Sequence, residues 1–251
     1  MDSPSDGVEP SAKGSGLFTT TRWSVVLAAG HQDGPLAADA LEKLCRTYWY
    51  PLYAYVRRKG YAAHDAQDLT QAFFTRLMEK QALVHIQREG GKFRSFLLTA
   101  LKHFLVNEWE HRRAKKRDAQ QLVFSLDEFD PESRYQFEPA DDKASPEILF
   151  DRQWAATLLD QVMNRLCAEY ACEGKADLFQ RLQPCLTGAE PVLPYADLAA
   201  LLGMTTNAVK MAVHRLRKRY GELLRAEIAD TVASPQEVED EIRHLIAVAA
   251  R

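Results

Sequence analysis

The sequence predicts an all-α protein made of two small helical domains, and three observations support this fold class. Apolar residues recur at helical spacing through most of the chain after residue 16. The sequence contains no convincing strand pattern. At 251 residues, the chain is long enough for two domains that each have a core. We therefore expect two helical bundles, a flexible acidic linker between them and an extra helix at the C-terminal end.

Composition and periodicity divide the chain into five parts. Residues 1–16 are rich in Ser, Gly, Pro and Asp and are predicted to be disordered. The first domain covers residues 17–117, the acidic linker covers 118–144, the second domain covers 145–230 and the C-terminal extension covers 231–251. The predicted helices of the first domain lie at 21–29, 36–58, 65–80 and 93–117.

The second domain contains the most informative motif, a helix-turn-helix with the sequence YADLAALLGMTTNAVKMAVHRLRKRY. Gly203 stands where a left-handed residue would end the first helix, and Thr205 is a good N-cap for the second. The polar face of the second helix offers amides and cations to a DNA major groove. The residues expected to contact DNA there are Thr206, Asn207, Lys210, His214, Arg215 and Lys218. A solvated basic helix in an unrelated bundle would explain the charges but not the Gly-centred turn.

The predicted helix at 93–117 combines an apolar stripe with a basic side. Its apolar residues, from Phe93 to Leu105, are expected in the core, and Arg94 is expected on the opposite, exposed side. Cations beside aromatic and amide groups suit single-stranded or partly melted DNA. The residues expected to engage such a strand are Lys102, His103, Asn107, Trp109, Arg112 and Arg113. The alternative is a basic helix end that only complements the helix macrodipole.

The segment DAQDLTQAFFTRLMEK predicts a helix with an acidic ridge. The ridge contains Asp65, Asp68, Gln71 and Thr75. Acid-tipped helices commonly dock other proteins. A catalytic role for the two carboxylates is disfavoured because acids are stabilised near a helix N-terminus without any such role. The histidines lack ligand spacing, and the common nucleotide-binding, hydrolase and zinc-protease motifs do not occur. We therefore expect no enzyme, no cofactor and no metal site.

The charge distribution and the cysteines indicate the class of protein. The net charge is -3, yet basic residues gather in two blocks, at 102–117 and 210–225, as in nucleic-acid-binding proteins. The cysteines, which lack CxxC pairing, are predicted to be reduced, buried thiols of a cytoplasmic protein. They are Cys45, Cys167, Cys172 and Cys185. The sequence shows neither a signal peptide nor an apolar run of membrane-spanning length.

Together, these motifs resemble the extracytoplasmic-function group of bacterial RNA polymerase sigma factors over about residues 21–230. DAQDLTQAFFTRL is similar to the family's polymerase-binding helix, and GKFRSFLLTALKHFLVNEWEHRRAKKR to its promoter-melting helix and basic tail. The helix-turn-helix is similar to the reader of the upstream promoter element. The resemblance implies a non-enzymatic subunit that binds core polymerase and promoter DNA, with an anti-sigma protein as a further type of partner. It implies polymerase contacts at Asp65, Asp68, Gln71 and Phe74.

The chain departs from the family pattern in both DNA-binding helices. His103 and Asn107 stand where Asn and Asp are common, and Phe96 stands where Trp is common, so the downstream sequence preference is open. In the reader helix, Ala208 and Ala212 replace a usual Thr and Arg, which predicts the loss of two polar groups near DNA. Two other classes remain open: a stand-alone helix-turn-helix regulator, and an adaptor whose basic helices bind acidic proteins.

The C-terminal extension is predicted to start a helix with a capping box at Ser234 and Glu237. An apolar stripe follows, and a lone helix of this kind would be unstable in water. We expect it to fold back on residues 145–230. It would either complete the core of the second domain or cover a binding face.

Overall fold

The structure is a computed structural model that describes residues 35–78, 92–114, 131–136, 144–187, 193–232 and 234–250. The predicted disordered segment 1–16, the predicted helix 21–29 and most of the predicted linker lie outside these residues. All regular elements in the described ranges are helices, so the all-α prediction is confirmed. Among these helices, none combines the length and the apolar character that crossing a membrane requires. The helices are α1 (Pro35–Arg58), α2 (Ala63–Met78), α3 (Phe93–Ala114), α4 (Pro131–Gln136), α5 (Pro146–Cys172), α6 (Ala176–Leu182), α7 (Pro184–Thr187), α8 (Tyr195–Leu202), α9 (Thr206–Ala229) and α10 (Pro235–Ala249).

Local capping signals place the ends of several helices as the sequence predicts. The Ser145 hydroxyl accepts a hydrogen bond from the Ile148 N–H at 3.3 Å and starts α5. Gly203 has φ of 62°, the left-handed conformation that ends α8. At the start of α10, Ser234 is the N-cap residue but its side chain makes no cap hydrogen bond. The capping-box prediction is therefore wrong at that side chain.

The apolar residues form two clusters, and α5 contributes to both. Phe150, Trp154 and Leu158 in its N-terminal half pack with α1, α2 and α3 in the first cluster. Val162 and Leu166 in its C-terminal half pack with α6, α7, α8 and α9 in the second cluster. At 27 residues, α5 is about 40 Å long, which is enough to reach both. Residue 145 is therefore not a boundary between two separate cores, because the helix that follows it packs on the first half.

A short helix interrupts the segment predicted as a linker. In α4, Glu132 accepts hydrogen bonds from the Arg57 guanidinium at 2.8 and 2.9 Å and from the Tyr53 hydroxyl. The Tyr135 ring lies 4.9 Å from the Arg57 guanidinium carbon. The pKa of Glu132 is lowered, chiefly by the hydrogen bonds from Arg57. This part of the acidic segment is docked on α1, because Glu132 has a basic partner there.

The C-terminal helix α10 packs on α5 and α9, within the region where the sequence predicts it to fold back. It also contacts the first half of the chain, which the sequence does not predict. Leu245 is only 1% exposed and belongs to the first cluster. The Thr231 carbonyl, just before α10, accepts a hydrogen bond from the Phe93 N–H at the start of α3 at 3.2 Å. The end of the chain thus connects its two halves.

The prediction of buried thiols is confirmed only in part, and the side chain of Cys45 lies outside the described residues. Cys185 is buried, whereas Cys167 and Cys172 are exposed near the end of α5. The expectation of buried thiols is wrong for these two residues, because neither belongs to the second cluster and Cys172 is the last residue of α5.

Candidate nucleic-acid interface

Helices α8 and α9 form the helix-turn-helix, and α9 separates its apolar and polar faces. Val209, Val213 and Leu216 point into the second cluster and are at most 2% exposed. The Thr205 hydroxyl accepts a hydrogen bond from the Ala208 N–H at 3.2 Å and fixes the start of α9. All six residues predicted to read DNA are exposed on the other side: Thr206, Asn207, Lys210, His214, Arg215 and Lys218.

The basic residues of α9 are not equivalent. Arg217 donates two hydrogen bonds to the Cys185 carbonyl, at 2.9 and 3.3 Å, which hold α9 against α7. Arg219 forms a bidentate pair with Glu169 at 2.7 and 2.8 Å, and its pKa is raised chiefly by these hydrogen bonds. Within the described ranges, Lys210 and Arg215 have no ion-pair partner. These two cations are therefore available to DNA phosphates.

Ala212 lies on the inner side of α9, not on its polar side. It is 5% exposed and belongs to the second cluster. The prediction that alanine here removes a polar group near DNA is therefore wrong for this position. An arginine at 212 would enter the core, because residue 212 lies beside Val209 and Val213 on the helix surface.

The outer side of α3 presents aromatic and polar side chains. Trp109 is 55% exposed, and His103 and Asn107 are exposed as well. Val106, 56% exposed, lies on the same part of the helix. An exposed indole beside an amide and an imidazole offers stacking and hydrogen-bonding groups to unpaired bases. The side chains of Arg112 and Arg113, and the predicted basic tail beyond them, lie outside the described residues.

Lys102 is on the predicted side of α3 but has an acidic partner. Its ammonium lies 2.9 Å from Glu147 at the start of α5. The hydrogen bond from Lys102 is the largest cause of a Glu147 pKa lowered to about 2. Lys59 lies 4.0 Å from the same carboxylate. This predicted DNA contact is therefore occupied by a carboxylate of the second half.

Arg94 is buried, although the sequence predicts it on the exposed side of α3. It is 8% exposed and donates hydrogen bonds to Glu241 of α10 and Asp151 of α5. Its guanidinium carbon lies 5.2 Å from the centre of the Trp154 ring. The exposed prediction is wrong because α5 and α10 cover this end of α3. Sequence reasoning missed Glu241 and Asp151, and helical periodicity contains no signal for partners that distant in the chain.

The predicted polymerase ridge on α2 is partly accessible. Asp65, Asp68 and Gln71 are each of intermediate exposure, and Asp68 lies 3.2 Å from His64. Phe74 is only 4% exposed and stacks on Trp49 with ring centroids 5.6 Å apart. Its predicted surface role is therefore corrected to a core role, because its position on α2 faces α1.

No known protein family matches this chain, no curated protein is detectably related to it, and no solved structure matches it. Any functional conclusion therefore depends on the residues and contacts described above.

Proposed function

We propose that the protein is a sigma-type subunit that binds core RNA polymerase and directs promoter-specific initiation of transcription. The observation that carries the proposal is the exposed polar face of α9 in a helix-turn-helix. With α8 packed against its apolar side, α9 can enter a major groove so that its polar side faces the bases. Asn207 can read a base edge there, while Lys210 and Arg215 neutralise phosphates.

Two further surfaces support a sigma-type role. The outer side of α3 combines Trp109, His103 and Asn107, groups that suit the unpaired strand of an opened promoter. The accessible carboxylates Asp65 and Asp68 on α2 form an acidic docking surface for the polymerase. A protein with these partners acts in the cytoplasm and performs no chemistry of its own.

A stand-alone helix-turn-helix regulator is the second candidate, and one observation favours it. The face of α9 is open, whereas two cations on α3, Arg94 and Lys102, are engaged by acids of the same chain. A regulator needs only the α9 surface. It needs neither strand opening by α3 nor a polymerase site on α2.

In vitro transcription with core polymerase on a promoter library distinguishes the two candidates. A sigma-type subunit yields run-off transcripts from a subset of promoters without any other initiation factor. Asp68→Arg should abolish co-purification with polymerase and these transcripts, because it places repulsion at the docking surface. Asp177→Arg, the same change on the exposed side of α6, is the matched control and should keep both activities. Sequence-specific DNA binding without transcripts would instead identify a regulator.

A further inference from the structure

Three acids of the second half contact three cations at α3. Lys102 lies 2.9 Å from Glu147, and Arg94 lies 2.7 Å from Asp151. Glu241, which is 1% exposed, bonds to Arg94 and lies 2.6 Å from Lys92. We call these acids the acidic strip; its residues are Glu147, Asp151 and Glu241.

The positions of these acids follow from helix geometry. Glu147 and Asp151 are four residues apart on α5, so they lie on one face of that helix, and this face is turned toward α3. The cations span from Lys92 to Lys102, about 15 Å along the helix axis. The strip therefore places several negative charges along the side of a basic helix, as a nucleic-acid strand would.

We propose that the acidic strip is an intramolecular competitor that occupies the cations of α3 in place of the phosphates of single-stranded DNA. This inference rests on the proposed function, in which α3 contacts an opened promoter strand. His103, Asn107 and Trp109 stay exposed when the strip is in place. The three cations at α3 are each paired with an acid of the strip. The free protein thus keeps duplex reading by α9 active and strand binding by α3 weak.

The two ends of the strip differ in how easily they release α3. Arg94 is covered by α10, so its release requires that helix to move. Lys102 and Glu147 have side chains 43% and 39% exposed, so their pair can exchange for a phosphate without any change of fold. Glu147 is consequently the position at which the competition can be measured in the intact chain.

The experiment measures binding of the full chain to a single-stranded DNA oligonucleotide across a range of salt concentrations. Glu147→Gln should bind about two- to fivefold more tightly than wild type, because the phosphate no longer has to displace one partly exposed ion pair. The slope of the logarithm of its binding constant against the logarithm of the salt concentration should steepen by about 0.7, because one additional phosphate contact forms. Glu173→Gln, which removes the same charge from an exposed pair with Lys175, is the matched control and should change neither quantity comparably.

A double-mutant cycle identifies the residue through which Glu147 acts. In a Lys102→Gln background, Glu147→Gln should give a clearly smaller gain in affinity, because Lys102 is absent and the remaining cation, Lys59, lies 4.0 Å from Glu147. Equal gains with and without Lys102, or equal gains for Glu147→Gln and Glu173→Gln, would overturn the competition. A gain specific to Glu147 in a protein that yields no transcripts with polymerase would support the competition and reject the proposed function.

Discussion

Helices α3 and α9 have the same sequence character, an apolar stripe with a basic side, yet their cations have different environments. On α9, Lys210 and Arg215 point outward without an acidic partner in the described ranges. On α3, Arg94 is buried against two carboxylates and Lys102 is paired with Glu147. The second half of the chain covers one side of α3, and the described helices leave the polar side of α9 open.

The difference shows that a basic face is available for binding only if no other part of the chain supplies acids to it. Periodicity determines which side of a helix is apolar. It does not determine what packs against the other side. For α9, Glu169 and Glu222 bind Arg219, and Glu222 also lies 4.0 Å from Lys218. These acids contact the C-terminal half of the helix and leave its N-terminal half open.

Replacing a cation should lower stability strongly on α3 and hardly at all on α9. Arg94→Ala removes one of the two cations paired with the buried Glu241 and leaves it only Lys92, so we expect a loss of up to about 3–5 kcal/mol in the free energy of unfolding. Lys210→Ala removes an exposed side chain and should stay within about 0.5 kcal/mol of wild type. Urea denaturation of both variants measures the contrast, and equal stability would show that Arg94 is not held as described.

Position 212 tests which side of α9 is the inner side. Ala212→Arg forces a long charged side chain into the second cluster and should cost about 1–3 kcal/mol or more. His214→Arg, two residues on and exposed, should be nearly neutral. The melting temperatures of the two variants measure this difference. An Ala212→Arg protein as stable as wild type, with tighter DNA binding, would place residue 212 on the DNA-facing side.

The turn between α8 and α9 depends on the left-handed conformation of Gly203. Gly203→Ala should cost about 1–2 kcal/mol of conformational strain, and nothing lies within 4 Å of the added Cβ to add a clash. Gly221→Ala, inside α9, should instead gain up to about 1 kcal/mol, because alanine favours the helix. The two melting temperatures should therefore shift in opposite directions, and a rise for Gly203→Ala would contradict the turn geometry.

The pair between Glu147 and Lys102 should give a modest pH dependence. The folded pKa of Glu147 is about 2, below its ordinary 4.5, so its contribution to stability is fully present above about pH 4.5. It is lost as the pH falls toward 2. The stability difference between wild type and Glu147→Gln should therefore shrink over that interval in equilibrium unfolding. A difference independent of pH would mean that the pair does not form.

How much of this structure the sequence predicts depends on how far apart the interacting residues are. Gly203 and Thr205 specify the turn within three residues, and Ser145 with Pro146 specifies the start of α5, so these features are predictable. Arg94 and Glu241 are separated by 147 positions. Their contact depends on the packing of α5 and α10 together, and neither amphipathic pattern encodes that arrangement. The same holds for Glu132, whose partner Arg57 lies 75 positions earlier.

For the predicted DNA and polymerase contacts, the sequence predicts residue types better than it predicts which side chains are available. All six predicted α9 residues are exposed. On α3, by contrast, Lys102 is engaged, and on α2 Phe74 is part of the core. A side chain at the edge of an apolar stripe can be either exposed to solvent or covered by another part of the chain. Only the neighbouring helix decides between them.

Whether the polar face of α9 contacts DNA is tested by the salt dependence of duplex DNA binding by the full chain, compared for Lys210→Ala and Arg219→Ala. Both variants lose one positive charge from α9, but Arg219 is already held by Glu169. We expect the log-log salt slope to fall by about 0.9 for Lys210→Ala and to stay unchanged for Arg219→Ala. Equal slopes for both variants and wild type would show that the polar face of α9 does not contact DNA.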